Sequence, residues 1–558
     1  MTGLRMERDF QRLDQPFDVL VVGAGVQGVC LARVLARSGL RVALVDRGDF
    51  GAATSHNSLK IMHGGLRYIQ HLDFARIRES VQAQDDWRRA AGTLIRPLAF
   101  SIPTRGIGTR SPMALAAGMM LYQYVGGGSR RSLPPPGVRL GRAFQQRFPF
   151  VESAGVNGCA TWYDAQILDA GRLMTECVAD AVRAGCVAVN HAEVVGLRVE
   201  RGQRVAGALV RDRLQGTEID VRAGVTVCTA GAWSAALAAM LPGAAVSPHR
   251  TEWTRNVNLV LKRSLGPDTA VGASSSKPGD GLIGGAARLY FATPWRHVSI
   301  LGTAHDPFDG PPDQLSISRA EIQELVDDMA VAIPGADLRV GDVAFVHLGL
   351  NPAEAAGRGR SKRAAISDRG FAGYLEVIAN KYTTAPTTAT RIARKLLQEL
   401  GAARQEPADA GAPLPGVELL SAGAEPPADE FAWERRVYGT RFDDLIGLVD
   451  RDQGVSLETA VFRARVMLAA QREMAVTLAD ALFRCSDLAE QGRLKAEHVH
   501  WALDWMGRSL GWNRMRRGSE LADTARRLDR HWCGGVDSAW AQLLRDTADG
   551  HERKETGG

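Results

Sequence analysis

Apolar residues recur along the chain with two different periods. Phe17-Asp18-Val19-Leu20-Val21-Val22 is a short β-rich run that meets glycines at once, and from 26 to 40 apolar positions recur at helical spacing. A second short run, Val42-Ala43-Leu44-Val45, ends at Asp46. The pattern predicts strand, tight turn, helix and strand, a βαβ unit of the usual ~30 residues and hence a parallel sheet. Residues 171–184 read as an amphipathic helix with Leu173, Cys177, Val178, Ala181 and Val182 on one face, stopped by Gly185. Strands follow at 187–189 and 194–199, and Val225-Thr226-Val227-Cys228 runs into a glycine turn at 229–233.

Between these parallel-sheet segments, and again over 251–345, the runs alternate. Leu289-Tyr290-Phe291-Ala292 and Val298-Ser299-Ile300-Leu301 suit an antiparallel sheet. A second, substrate-facing domain inserted into the first is therefore expected. Residues 405–428 are rich in Pro, Ala, Gly and acid, as a linker is. Glycine and proline are then sparse, and helical periodicity over 460–468, 475–483 and 496–506 predicts a C-terminal helical cap. The expected boundaries are 15–110, 150–245 and 346–404 for a discontinuous nucleotide-binding domain, 111–149 and 246–345 for the substrate domain, and 429–548 for the cap.

Composition narrows the class. At 558 residues the chain exceeds the ~250 to 300 at which one core stops growing, so two or three domains are expected. Its 45% hydrophobic and 23% charged residues exclude collagen-like, disordered and disulfide-stapled scaffolds. Net charge is +6, but Arg supplies 60 of the 68 basic residues and acids are interspersed with them. No nucleic-acid partner is expected; a weak bias toward anionic substrates or anionic lipid remains.

Seven cysteines, odd in number and without a CxxC pair, read as core thiols in a reducing compartment. The first residues carry no apolar signal region, and no uncharged apolar run reaches the ~18 residues of a spanning helix. The expectation is a cytoplasmic protein. For the apolar stretch 113–125 a buried helix is the plainer reading, with contact to a bilayer or a quinone as the alternative.

Gly23-Ala24-Gly25-Val26-Gln27-Gly28 fits GxGxxG and directly follows a strand and opens a helix. The first glycine allows the tight turn, the second lets a pyrophosphate approach the backbone, and the third allows close helix packing. The helix N-terminus offers free N–H groups to phosphates. Asp46, at the end of the second strand, can accept hydrogen bonds from both ribose hydroxyls. The motif occurs once, so FAD reduced directly by substrate is the economical reading, and no metal site is expected.

Downstream, residues 51–68 read GAATSHNSLKIMHGGLRY. This segment closely resembles the flavin-contacting segment of FAD-dependent glycerol-3-phosphate dehydrogenases, in the wider D-amino-acid-oxidase-like group. The resemblance extends over 164–194, the turn at 229–233, Pro294-Trp295-Arg296, Gly302-Thr303 and the segment AVTLADAL at 475–482. It implies an α/β fold: a Rossmann-like FAD-binding domain with an inserted antiparallel-sheet substrate domain and an α-helical cap. By position it assigns Gly23, Gly25, Gly28 and Asp46 to the ADP half of FAD. Thr54, Ser55, Ser58 and Lys60 fall along the pyrophosphate and isoalloxazine, with Gly231 in the second glycine turn. Lys381, Thr383 and Thr384 match a turn near the pyrimidine end of the flavin, and Arg67 and Tyr68 face the substrate.

The resemblance fails where a substrate phosphate would be gripped. Arginines expected at two positions are Asn351 and Asp368, the second with Arg369 displaced by one residue, and a TTYR motif has become Thr384-Ala385-Pro386-Thr387. Arg358, Arg360, Lys362 and Arg363 read as a solvated basic loop. Losing bidentate arginine contacts weakens phosphate selection. The implied activity is oxidation of a secondary alcohol to a ketone by hydride transfer to flavin N5, with electrons passed to a quinone or other acceptor. Arg67 and Lys381 suit stabilisation of charge, and His63, His305 and His347 are candidates for the base. Three alternatives stay open for the substrate and role: glycerol 3-phosphate, an unphosphorylated polyol, hydroxy acid or amine, or a low-turnover flavin-binding protein. A homodimer and peripheral contact with the inner face of the cytoplasmic membrane complete the expectations.

Overall fold

The computed structural model describes residues 5–128, 133–152, 154–243, 251–266, 268–278, 287–353, 364–401, 405–417, 427–451 and 454–532. The expected basic loop at 358–363, the cap beyond 532 and the side chain of Arg67 lie outside the described residues.

In chain order the strands are β1 (Phe17–Val22), β2 (Val42–Val45), β3 (Ile61–Met62), β4 (Ile95–Arg105), β5 (Gly137–Leu140), β6 (Val156–Ile167), β7 (Val187–Val189), β8 (Ala192–Glu200), β9 (Arg204–Asp212), β10 (Glu218–Cys228), β11 (Trp253–Leu261), β12 (Thr269–Pro278), β13 (Ala287–Trp295), β14 (Val298–Phe308), β15 (Val343–Pro352), β16 (Ala365–Ser367) and β17 (Tyr374–Ile378). They form two sheets. The first runs β16-β17-β10-β1-β2-β7, and all its pairs from β17 to β7 are parallel, with Val19 of β1 opposite Val42 on one side and Val225 on the other. Parallel strands are covered on both faces, which is why β2 is apolar and buried at every position.

Helix α1 (Val26–Arg37) covers one face of that sheet, and Val29, Val34 and Leu35 enter one core with Val19, Val21 and Leu44. The opposite faces of β1 and β2 bury Leu20, Val22, Ala43 and Val45 against Phe10, Leu13 and Val221.

The second sheet runs β15-β11-β14-β13-β12-β4-β6-β3, with β5 on β6. It claims more of the chain than the expected boundaries allow, because β3, β4 and β6 and most of β15 belong to it, where 15–110, 150–245 and 346–404 assigned them to the nucleotide-binding domain. The long β4–β6 ladder, from Ile95 opposite Ile167 to Arg105 opposite Val156, decides the membership. Alternation along β4 is legible in the sequence; the sheet it joins is not.

The apolar stretch 113–125 also differs from a fully buried helix. Helix α2 (Pro112–Gly126) buries Leu115, Met119 and Tyr122 but exposes Met113, Met120 and Tyr124. The buried stripe falls at i, i+4 and i+7, with Val125 partly buried beside it.

Residues 405–417, expected as a linker, are docked: Ala410, Leu414 and Val417 are buried, and Arg33 donates to the Ala410 carbonyl at 2.7 Å. The cap contains α3 (Leu457–Arg472), α4 (Ala496–Ser509) and α5 (Arg514–Arg530). The helix expected over 475–483 begins late and is short, a π-helical turn at Asp480–Arg484, and the Asp480 carboxylate takes the backbone N–H groups of Val476 and Thr477 ahead of it at 3.0 Å each. Buried ion pairs fasten the cap to the sheets: Arg484 to Asp49 at 2.6 Å, His191 to Asp480 at 3.0 Å and Lys60 to Glu490 at 2.8 Å. Asp49, His191 and Asp480 converge as a metal trio would. Their oxygens already accept from Arg484, Asn190 and backbone N–H groups, so they form an ion-pair network instead.

Candidate active site

The β1–α1 turn is a cradle shaped by absent side chains. Gly23 has φ +102°, and a Cβ there would stand 2.8 Å from the backbone of Thr229 and Ala230. A Cβ on Gly28 would lie 1.8 Å from the Gly23 carbonyl oxygen, so that α1 packs directly on the turn. Thr229 locks the arrangement by donating its hydroxyl to the Gly23 carbonyl at 2.7 Å. At the helix N-terminus the Val26 N–H donates to the Ser55 hydroxyl at 2.9 Å. Asp46 accepts from the Ala24 N–H at 2.6 Å and the Gly48 N–H at 2.8 Å. Burial raises its carboxyl above the usual range, and the two N–H donors oppose that shift.

From this cradle a cleft of about 1130 Å³ runs to the second sheet. Gly23, Gly25, Asp46, Thr54, Ser55, Ser58, His63, Tyr68, Gly231, His305, Lys381 and Thr383 all line it. An elongated, glycine-floored cleft that begins at a helix N-terminus fits an adenine dinucleotide such as FAD. The Thr54 hydroxyl is engaged structurally: it donates to the Leu350 carbonyl at 3.2 Å and accepts from the Leu350 N–H at 3.0 Å, docking the cradle onto β15. Gly349 permits that approach, since a Cβ there would meet the Thr54 methyl at 3.0 Å.

Gly28, beneath the turn, does not line the cleft, and three more expected residues are placed elsewhere. Lys60 is fully buried, with φ +58°, and its ammonium lies 2.8 Å from Glu490 and 4.9 Å from the centre of the Trp295 ring. Its neighbours Ser58, Leu59 and Ile61 line the cleft; Lys60 points away from it. His347 is also fully buried, 3.3 Å from the same Glu490 oxygen, and burial holds it well below the usual imidazole range. A base must reach the substrate, so His347 is withdrawn from that role. Thr384 stands at the start of a helix, its backbone carbonyl accepting from the Thr388 N–H at 2.9 Å, and does not line the cleft.

Lys381 stacks its ammonium 4.2 Å from the centre of the Tyr68 ring and donates to the Ser80 hydroxyl at 3.1 Å. The two remaining imidazoles are held differently. His63 Nδ1 is 3.4 Å from Asp164, a carboxylate that also accepts from the Gly64 N–H, Tyr122, Gln84 and Trp162, and the His63 side chain is 48% exposed. His305 Nδ1 is 2.6 Å from the Asn256 amide oxygen. The Asn256 amide nitrogen donates to the Thr254 carbonyl at 3.2 Å, which fixes the oxygen as the acceptor facing His305. His305 therefore carries its proton on Nδ1 when neutral, and Nε2 is the basic nitrogen.

Residues the sequence reading missed lie mainly on the second sheet. Asn256 and Asn258 of β11, Thr303 of β14 and Arg288 of β13 line the cleft with Asn351. Asn256 and Asn258, at i and i+2 in the apolar second half of β11, were the available signal. Arg369 does not replace the arginine missing at 368, because it is paired to Glu376 at 2.5 Å.

Comparison with known proteins matches residues 18–393 to a family described as FAD dependent oxidoreductase. The chain is 28% identical to the glycerol-3-phosphate dehydrogenase of Synechocystis sp. over 503 residues, covering 85% of this chain and 89% of that protein. It is 26% identical to the glycerol-3-phosphate dehydrogenase of Mycobacterium leprae, covering 96% and 92%. In fold it is similar to the glycerol-3-phosphate dehydrogenase of Bacillus halodurans solved with FAD, with a TM-score of 0.72 at 20% identity over 93% of this chain and 96% of that one.

Proposed function

The chain belongs to the FAD-dependent oxidoreductase family, and from that premise we propose that it oxidises the secondary alcohol of glycerol 3-phosphate or a close analogue to a ketone. The observation that carries this reading is the single cleft joining the dinucleotide cradle to a polar wall that holds an oriented imidazole. Relatives that share most of the chain and bear that activity in their names support the substrate.

The backbone of Gly23 and Gly25, the N-terminus of α1 and Asp46 would hold the ADP half of FAD, and Ser55 and Ser58 would flank the pyrophosphate. FAD held there would supply the hydride acceptor for the substrate carbon. His305 takes the hydroxyl proton on Nε2, because Asn256 keeps its other nitrogen protonated and fixes the plane of the ring. His63 is the weaker candidate, since the lone pairs of Asp164 are shared among several other donors. Lys381 sets a positive charge against the cleft where negative charge develops.

Electrons pass on to a quinone or another acceptor in this reading, with contact at an anionic membrane surface. No helix among the described residues is long and apolar enough to cross a membrane. Helix α2 carries no charged residue and exposes Met113, Met120 and Tyr124, while Leu140 stands exposed between Arg139 and Arg142. Sedimentation with anionic phospholipid vesicles at low salt tests the contact, and a protein left in the supernatant removes it.

The substrate reading is tested by anaerobic addition of glycerol 3-phosphate to the purified holoenzyme. Bleaching of the flavin absorbance by glycerol 3-phosphate and not by glycerol is expected. A flavin that stays oxidised with glycerol 3-phosphate rejects that substrate.

A further inference from the structure

Among the described residues, one cation on the far wall of the cleft has no counterion. Arg288 is half-buried on β13 and lines the cleft with Asn258 and His305. It donates from Nη2 to the His305 carbonyl at 3.2 Å and from Nη1 to the Tyr290 hydroxyl at 3.4 Å. Tyr290 donates in turn to Asp328 at 2.8 Å. Both contacts of the guanidinium are long and to neutral groups, and among the described residues no carboxylate pairs with it.

Elsewhere this protein pairs its buried arginines: Arg8 with Asp212, Arg33 with Asp180, Arg172 with Glu176, Arg484 with Asp49. A guanidinium that has given up hydration without gaining an anion is uncompensated. Facing a cleft, its planar fork with N–H groups to spare is a receptor for an oxyanion, which it can grip at two oxygens. The neighbouring wall strengthens the point, because position 351 is an asparagine and Arg369 is already held by Glu376.

We propose that Arg288 binds the oxyanion head group, phosphate or carboxylate, of the substrate whose alcohol His305 deprotonates. The inference rests on the alcohol-oxidation reading above and names the residue that selects the substrate. His305 links the two tasks: its carbonyl holds Arg288, and its imidazole faces the same cleft.

The test titrates the wild-type holoenzyme, Arg288→Gln and Arg288→Lys with inorganic phosphate, acetate and glycerol, following the difference spectrum of the bound flavin. The wild type is expected to respond to an anion and not to glycerol, and the anion that binds, phosphate or acetate, identifies the head group. Arg288→Gln is expected to raise that dissociation constant about 10- to 100-fold. Arg288→Lys, which keeps the charge and loses the fork, falls between. As a measurement independent of any variant, phosphate or acetate is expected to protect Arg288 of the wild type from phenylglyoxal, read by mass spectrometry.

Equal anion binding by wild type and Arg288→Gln, or no binding and no protection in the wild type, overturns the proposal. Failure of the substrate reading looks different. If glycerol 3-phosphate leaves the flavin oxidised while Arg288→Gln still loses the anion, the substrate is wrong and the role of Arg288 stands. If glycerol 3-phosphate bleaches both proteins at the same KM, the substrate stands and the role of Arg288 falls.

Discussion

The nucleotide cradle and the wall facing it across the cleft are built in opposite ways. The cradle is local: Gly23, Gly25, Asp46 and Ser55 lie within a short stretch of chain, and most of what they present is backbone. The wall is assembled at long range. Its polar groups come from β11, β13, β14 and β15, and strand register alone brings Asn256 opposite both His305 and Gly349. A site made of backbone tolerates change in side chains but not in glycines. A site made of side chains on paired strands can be altered one residue at a time while the sheet remains.

The strongest break of that comparison is a side chain in the cradle. Gly28→Val sets a branched side chain where a Cβ alone would stand 1.8 Å from the Gly23 oxygen and 2.7 Å from Thr229. Overpacking of this kind costs about 3 kcal/mol or more when the neighbours are backbone. The expected product is unstable and colourless, whereas Asn351→Ala on the wall keeps its flavin. The ratio of flavin to protein after purification checks both, and a yellow Gly28→Val protein removes the distinction.

Lys60 sharpens the boundary of the cradle. It sits in the segment that the family resemblance assigns to the flavin, yet its ammonium is buried against Glu490 of the cap. Lys60→Met leaves the Glu490 carboxylate with its principal cation removed, a loss of about 3–5 kcal/mol. Urea unfolding should show that loss, and the fraction that folds should keep its flavin. Flavin loss at unchanged stability returns Lys60 to the cofactor.

Acid should loosen the same junction. His531 ends α5 with its Nδ1 3.0 Å from the Val346 carbonyl of β15; burial and nearby arginines hold it down at about 3, and burial holds His347 well below its usual range. In the unfolded chain both titrate near the ordinary imidazole value of 6.5. The unfolded state therefore binds more protons below that pH, so stability is level above it and falls as pH drops toward the folded value. For His531 alone the loss is about 2–3 kcal/mol over the two pH units below its unfolded pKa. His531→Gln should flatten that part of a plot of unfolding free energy against pH, and an unchanged slope assigns the acid sensitivity to other groups.

How much of this was readable from residues follows the same division. GxGxxG after an apolar run dictates its own turn, because the glycines act on neighbouring backbone, and the structure puts Gly23, Gly25 and Asp46 on the cleft. Lys60 and His347 were misread for one physical reason. Sequence position shows that a residue is near the site but not which way its side chain turns, and the partner that turned both, Glu490, is more than a hundred residues away. The same limit hid the membership of β4 and β6 and the docking of residues 405–417, each decided by a distant partner. Arg288 and Asn256 were missed because a polar residue in a strand signals a face and nothing about what that face meets.

The smallest expected effect tests the wall most directly. In the proposed mechanism Asn256 does not take up the proton; it positions His305 through a hydrogen bond of 2.6 Å to Nδ1. Asn256→Leu removes that acceptor and frees the imidazole to exchange tautomers and rotate. One net hydrogen bond is worth about 0.5–1.5 kcal/mol, so the rate of flavin reduction should fall by up to about tenfold. A purely structural role would lower stability and leave the pH dependence of the surviving activity alone. Asn256→Asp separates the two cases: a carboxylate facing Nδ1 stabilises the imidazolium, so the acid limb of the rate profile should move to higher pH while activity recovers relative to Asn256→Leu. If the limb stays in place in Asn256→Asp but moves when His63 or Asp164 is replaced, the proton belongs to His63, and the catalytic imidazole lies on the cradle side of the cleft.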